Sequence, residues 1–497
     1  MDTSCKIKRT ALGCTFLANL AFTGPVTAAQ HSLDYAESAD AKEISIGIKN
    51  YQGRQDKVFK DALGRERSFR GFNVSGKVKL AEFGFQPFKN IEDARTSFSL
   101  LGQQTGSNIV RYTLAWEGIH TIAAAINYDY LDQAIAYMKE AMANDMYVLL
   151  DYHSDLYSRH TFTKNSDNTG NGAPKWAVAD INGKDNCGLP CKVTWSAHKL
   201  SDGAVRNAMR SFWYDHWVMD QQLPGAELYL PATNTCADIK NGNTNNSTTV
   251  LTASCNGQTS QQWHFQQDGR VYLAKDNSKC LDVAGARTSD NTDIQIYQCN
   301  GSKAQQFILD QRGRLHNALD FNKCVQNTGG NFKLARCSTD NASQQFMLRE
   351  GATGDNLGEN LTYVQTAFIW QIGQVASYIK SKLTAKEFAQ IIGIEPINEP
   401  FDGGIGQMSY KDFDNQILWP FYQRVRAELN RQGWQNKEVF AEPMVFWSSI
   451  AGITAPATGG HYLDYQPGDG FVFTPHFYDQ ARMGIADLSI ARNASYF

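Results

Sequence analysis

The feature of this chain that points to chemistry is where one apolar run stops. Ile391-Ile392-Gly393-Ile394-Glu395-Pro396-Ile397 leads straight into Asn398-Glu399-Pro400, an amide and a carboxylate followed by a proline. A carboxyl group can deliver a proton and take one back, provided the backbone holds it where the proton is needed. A run this apolar, with Gly and Pro around it, reads as a strand buried on both faces. Asn398 and Glu399 then stand at its carboxyl end, the rim on which parallel barrels carry catalytic groups. The plainer reading of Glu399 is a solvated loop acid, and the rest of the chain decides between the two.

Elements able to position such a pair lie on both sides of it. Arg70–Gly76 reads as a first strand, Asn108–Leu114 as a second carrying Arg111, and Met146–Leu150 as a third running into Asp151-Tyr152-His153-Ser154-Asp155. Glu438–Pro443 makes a fifth, and Phe471–Tyr478, with His476 and Tyr478, a sixth. Helical patterns separate them over 91–106, 130–144, 362–382 and 417–432. Leu131, Ile135, Met138 and Met142 share one face of the second, and Pro420 is tolerable in the first turn of the last. Strand and helix alternating in this way call for a parallel sheet with covered faces. Residues 30 to about 60 are polar and carry no clear motif.

From about Leu228 to Leu348 that rhythm is replaced by a repeat. Cys236-Ala237-Asp238, Cys280-Leu281-Asp282 and Cys324-Val325-Gln326 open three units, each with a second cysteine at Cys255, Cys299 or Cys337. The units close on Gln261-Gln262-Trp263, Gln305-Gln306-Phe307 and Gln344-Gln345-Phe346. Three units ending on an aromatic predict a pseudo-threefold β-domain whose aromatics meet in one core. Pairing within each unit is the simplest disulfide scheme, with Cys187 and Cys191 as a fourth pair, although other connectivities fit the sequence.

The chain has 497 residues, 42% of them hydrophobic and 20% charged, so two or three folded domains are expected. A formal charge of −3 gives no reason to expect nucleic acid or an anionic membrane as partner. Lys6, Lys8 and Arg9, the apolar Ala11–Phe22 and the small residues Val26–Ala29 read as an export signal over 1–29, too short to span a bilayer. The protein is therefore expected outside the cytoplasm, secreted or periplasmic, where its remaining eight cysteines would form disulfides. No His/Cys cluster has metal-ligand spacing, so neither metal nor cofactor is implied.

The repeat at 226–350 resembles a ricin-type β-trefoil lectin domain. In that family an Asp after the first cysteine and an aromatic two residues before the second bind sugar. The resemblance implies a site at Asp282 and Tyr297. The first unit keeps Asp238 but has Ala253, and the third has Gln326 and Ala335. A folded spacer without ligand is the alternative. The flanking parts, 30–225 and 351–497, are similar to glycoside hydrolase family 5, in its endoglycoceramidase-like branch. The similarity rests on Arg70-Gly71-Phe72-Asn73, Val110-Arg111, Leu149–Ser158, Asn171-Gly172-Ala173-Pro174, Asn398-Glu399-Pro400 and Pro475–Asp479. It implies a (β/α)8 TIM barrel, of the α/β class, interrupted by the all-β trefoil.

The same resemblance makes Glu399 the general acid/base and Asn398 the holder of the sugar 2-hydroxyl, with His153, Asp155, His476 and Tyr478 lining the sugar subsite. Arg111 would hold a carboxylate in its charged form; a structural ion pair is the alternative. A retaining hydrolase also needs a nucleophilic carboxylate about 5 Å from the acid, which this family carries on its seventh strand. Only six strands are counted. Glu395, four residues back on the same strand and roughly 13 Å from Glu399 if extended, and Glu442, beside it, are both poorly placed. The expectation is a retaining glycosidase cut off after its sixth strand, acting on glycolipid, with an endoglucanase or mannanase, or a non-catalytic sugar binder, as alternatives.

Overall fold

The structure, a computed structural model, describes residues 42–476 apart from 124, 163–169, 179–196, 218–224, 267–268, 352, 358–361, 406–407 and 446–467. The signal-like segment, Cys187, Cys191 and Tyr478 lie outside the described residues.

Six parallel strands form one sheet in chain order: Gly71–Val74, Ile109–Leu114, Tyr147–Tyr152, Ile391–Glu395, Glu438–Ala441 and Phe471–Phe473. Sequential parallel strands with helices between them are the wall of a TIM-barrel-class fold. Alternation sends Val110, Tyr112, Leu114, Val148, Leu150, Ile394 and Val439 to the face covered by helices Ile91–Thr105, Tyr128–Ala143, Val364–Lys382 and Trp419–Arg431. The opposite face carries Tyr147, Leu149, Ile392 and Phe440, which form a second, smaller cluster with Ile44, Phe59 and Phe69. The inner strands are thus buried on both faces, as their unbroken apolar runs require, while the edge strand Gly71–Val74 is mostly exposed. Gly393 is needed where strands crowd: a Cβ there would lie 2.2 Å from the carbonyl oxygen of Glu438.

Two expectations change. The strand expected to run as far as Asn398 stops at Glu395, and the site residues follow it in a turn. The segment that carried no motif contains a regular hairpin, Ile44–Tyr51 against Arg54–Asp61, turning at Gln52 and Gly53, both with positive φ. Its signal was weak because most of it is exposed and only Ile44 and Phe59 reach the core cluster beneath the sheet. Gln-Gly is also a fainter hairpin cue than Asn-Gly.

Between Ala226 and Glu350 twelve antiparallel strands build the trefoil. Trp263, Phe307 and Phe346 meet in its core with Leu228, Leu273, Leu281 and Ile296. Disulfides Cys236–Cys255, Cys280–Cys299 and Cys324–Cys337 each close one unit. The two ends of the block are strand partners, Ala226 opposite Glu350, so the whole unit can emerge from a single connection of the barrel. Trp217, just before it, packs into the trefoil core at 5.7 Å from the ring of Phe265.

Candidate active site

Beyond Glu395 the chain leaves the sheet, and Glu399 takes a left-handed φ of 47°. A carboxylate residue holds that backbone only where its surroundings enforce it. Here the Asn398 N–H donates to the Tyr152 carbonyl at 3.2 Å, and the Glu399 N–H donates to Glu442 Oε2 at 2.6 Å. Backbone position is thereby tied to the neighbouring strands on both sides.

Arg111 fills the centre of the rim. Its Nε and one terminal nitrogen grip both oxygens of Glu395 at 2.8 and 2.6 Å, and the same nitrogen reaches Asn398 Oδ1 at 3.0 Å and Asp151 Oδ1 at 2.9 Å. Burial opposes the guanidinium charge, but Asp151 and Glu395 outweigh it and raise the Arg111 pKa. The Asn398 amide is thus oriented from its oxygen, while its nitrogen donates to the Ser154 carbonyl at 3.2 Å.

A second line of charge runs along the third strand. Alternate residues Asp151, His153 and Asp155 fall on one face. The imidazole stands between the two acids, Nδ1 3.0 Å from Asp151 and Nε2 3.2 Å from Asp155. Burial would lower its pKa, yet Asp155 and Asp151 together raise it to about 9. The ring is therefore cationic at neutral pH. Lys79, the last residue of the short 3-10 helix Gly76–Lys79 after the first strand, closes the line on Asp155 at 2.5 Å.

The third group surrounds Glu399 itself. Lys199 Nζ lies 2.7 Å from its Oε2, and His476 Nδ1 lies 3.2 Å from its Oε1. The same imidazole is 3.2 Å from Glu442 and 3.8 Å from Glu395. The estimate of roughly 13 Å between Glu395 and Glu399 assumed an extended chain. The turn after Glu395 instead folds Glu399 back, so that one ring touches all three acids. Glu442 is fully buried beside two carboxylates, and burial followed by Glu395 and Glu399 pushes its pKa well up.

Arg111, His153, Asp155, Asn398, Glu399 and His476 therefore come together on one rim. Sequence reasoning passed over Asp151, Lys79 and Lys199. The i, i+2 spacing from His153 would have found Asp151. Nothing local marks the two lysines, whose partners are 76 and 200 residues away by numbering. Glu395, Glu442 and His476 also offer one ligand atom each within 4.8 Å of one another. Of these, Glu395 is already paired with Arg111 at 2.6 Å. Two other such groups, around His316 and Glu227, contain disulfide sulfurs, which are not thiolate ligands.

In the trefoil, Asp282 stands opposite Gln295 and Tyr297 opposite Cys280, which puts the carboxylate and the ring on one face of the strand pair. Tyr297 is 38% exposed, as a stacking platform must be. Asp282 accepts from Gln295 at 2.9 Å and from Gln305 at 3.1 Å; burial nevertheless raises its pKa. Asp238 is held in the same way, by Gln261 at 2.9 Å, with no ring at position 253.

Comparison with known proteins covers both regions. Residues 62–181 match the family described as cellulase (glycosyl hydrolase family 5), and residues 226–350 match the ricin-type beta-trefoil lectin domain. A glucosylceramidase of Aspergillus fumigatus is 30% identical over 141 residues, 24% of this chain and 17% of that protein. An endoglycoceramidase of Cyanea nozakii is 30% identical over 130 residues, 26% of this chain and 24% of that protein. The chain thus matches less than a quarter of the length of either relative. Among solved structures, an endogalactoceramidase is 15% identical with a TM-score of 0.46, covering 90% of this chain and 66% of its own. Endo-glycoceramidase II from Rhodococcus sp., as its lactosyl-enzyme intermediate, is 15% identical with a TM-score of 0.44, covering 87% and 63%. The chain thus carries one segment similar to glycosyl hydrolase family 5 and another similar to the ricin-type beta-trefoil lectin domain.

Proposed function

We propose that the chain is an exported glycosidase that cleaves β-glycosidic bonds of glycosphingolipids with retention, and that its trefoil holds it near glycosylated material. The observation that carries this reading is the held pair Asn398-Glu399 at the end of a buried strand, within a rim of charged residues. Glu399 is the general acid that protonates the leaving oxygen and later the base toward water. Asn398, fixed by Arg111, hydrogen-bonds the sugar beside the reacting carbon. The cationic His153 with Asp155, and His476 with Tyr478, line the subsite. Lys199 must share or release the Glu399 oxygen before that oxygen can donate a proton. The relatives' names support a ceramide-linked substrate, and the 226–350 block fits a glycan ligand.

Retention needs a second carboxylate about 5 Å from the acid. Glu395 is clamped by Arg111, and Glu442 is buried and bonded to the Glu399 backbone, so we assign the nucleophile to neither. That same observation favours a second reading, a sugar-binding protein without turnover. Incubation with glycosphingolipids and with β-glucans separates the readings. Release from the lipids, reduced about 10²- to 10⁴-fold in Glu399→Gln, is the expected result. Release from glucans alone makes it a polysaccharide hydrolase. Turnover unchanged in Glu399→Gln overturns the mechanism, and binding without release from either substrate establishes the second reading.

A further inference from the structure

Downstream of Pro400 the chain that carries Glu399 is held from outside the barrel sheet, through its carbonyl oxygens. The Trp213 indole N–H donates to the Phe401 carbonyl at 2.8 Å, Arg210 Nε donates to the Gly403 carbonyl, and Asn322 Nδ2 donates to the Gly404 carbonyl at 3.3 Å. The first two donors stand on helix Gly203–Trp213, and the third belongs to the third unit of the trefoil. Gly403 and Gly404 take left-handed φ values of 64° and 76°, and a Cβ on Gly403 would lie 2.5 Å from the Arg206 carbonyl oxygen. Residues 401–404 are therefore moulded against that helix.

The helix is in turn seated on the trefoil. Arg210 lies 3.8 Å from Asp320, and Tyr214, which follows the helix, donates its hydroxyl to Asn322 Oδ1 at 3.1 Å. The Tyr214 ring packs 4.4 Å from that of His316, another trefoil side chain. Asn322 is thus fixed at its oxygen and gives its nitrogen to the loop, much as Asn398 is fixed at its oxygen by Arg111. Lys199, on the short helix Ala197–Ser201 just before, reaches Glu399 Oε2 directly. One piece of chain, 197–214, therefore touches the acid, the loop behind it and the trefoil.

Comparison of the repeats shows what is particular to Asn322. Its equivalent in the second unit is Ser278: the Cys299 N–H donates to the Ser278 carbonyl as the Cys337 N–H does to that of Asn322. Ser278 bonds back to Asp276 through its N–H at 3.0 Å and its hydroxyl at 2.7 Å, within its own unit. Asn322 keeps the backbone bond, to Asp320 at 2.9 Å, but sends its amide outward to Tyr214 and Gly404. A left-handed carboxylate residue such as Glu399 persists where its surroundings over-determine it. We propose that the trefoil is part of the scaffold of the active site, with Asn322 a positioning residue that holds the turn of Glu399 through the Gly404 carbonyl. The proposal rests on the reading of Glu399 as the acid.

The test is hydrogen exchange, read by mass spectrometry, together with turnover of the full chain carrying Asn322→Ser, which installs the residue the second unit has at the same place. Exchange at the Asn398 and Glu399 amides should rise about fivefold, the worth of one hydrogen bond, while that of strand Ile109–Leu114 stays as it was. On a glycosphingolipid, kcat should fall about fivefold with KM within about twofold, the mark of a reacting group displaced rather than of substrate binding lost. Tyr214→Phe, which removes the donor that orients the amide, should move both readouts the same way by less, and serves if the first variant does not fold. Unchanged exchange, exchange that rises equally in strand Ile109–Leu114, or faster exchange with kcat unaltered would each overturn the proposal. If the unsubstituted chain turns over no glycoside, the reading of Glu399 falls, and exchange at the two amides alone decides whether the trefoil holds the turn.

Discussion

The barrel rim and the trefoil each take carboxylates out of water, and they stabilise them with different partners. On the rim, Glu395 and Asp151 are held by a cation, Arg111, reached across 284 residues in the case of Glu395. In the trefoil, Asp238 and Asp282 are held by neutral amides, Gln261 and Gln305, each 23 residues further along. Gln344 makes the same contact with Gln326 in the third unit, across 18 residues. Each of these glutamines also donates to a backbone carbonyl of its own unit and accepts from a backbone N–H. Amide clamps build a repeated local scaffold whose clamping groups carry no charge. The cationic clamp instead makes the rim depend on every charge being present, which suits proton chemistry and costs robustness.

Removing the clamp should hurt the rim most. Arg111→Met leaves Glu395 and Asp151 buried without their cation, and a loss of about 3–5 kcal/mol is expected in denaturant unfolding. Less than about 1 kcal/mol would mean that the rim relaxes as easily as a surface. The same contrast predicts that the barrel loses stability as pH rises. His153 titrates at about 9, above its unfolded value, so its contribution is complete below about pH 6.5 and is lost as pH rises through 9. Asp414, buried in the turn before the Trp419–Arg431 helix, is pushed up to about 8 by desolvation, so it too destabilises the fold as pH climbs from about 4 to 8. Asp414→Asn should flatten that fall in the unfolding midpoint while leaving the His153 part; an unchanged slope would show that Asp414 does not carry it.

Smaller effects separate the trefoil units. Gln305→Ala should cost about 1–3 kcal/mol, because it strands an Asp282 oxygen and the Gln298 carbonyl. Gln344→Ala, whose partner Gln326 is uncharged, should cost less. Equal losses would show that the carboxylate adds nothing to the scaffold. Smallest of all, Tyr297→Ala should weaken neutral glycan binding by about 1 kcal/mol without moving the midpoint, since the ring is already 38% exposed. Unchanged glycan affinity would remove the second unit from the binding surface.

The trefoil was legible because its defining contacts are local. Cysteine pairs 19, 19 and 13 residues apart and the closing Gln-Gln-aromatic triplets all fall within a single unit, and repetition turned a weak pattern into a strong one. The inner barrel strands could be placed because strands buried on both faces are continuously apolar, whereas the edge strand Gly71–Val74 is mostly exposed. The hairpin at 44–61 could not, because it is mostly exposed and leaves no period to read. Rim partners divide in the same way. His153 and Asp155 share one strand end and were found together, whereas Lys79 and Lys199 come from two short helical segments that reach the rim only once the sheet has formed.

The sequence by itself determined which segments are buried, where the inserted domain begins to repeat, and that an amide and an acid follow the central strand. Burial and repetition are written residue by residue, so one chain suffices to read them. Which charge faces which was decided only in three dimensions: Arg111 on Glu395, one imidazole among three acids, and Lys199 on Glu399. Electrostatic energy depends on distances between groups hundreds of residues apart, and those distances exist only after the strands and the two domains have packed.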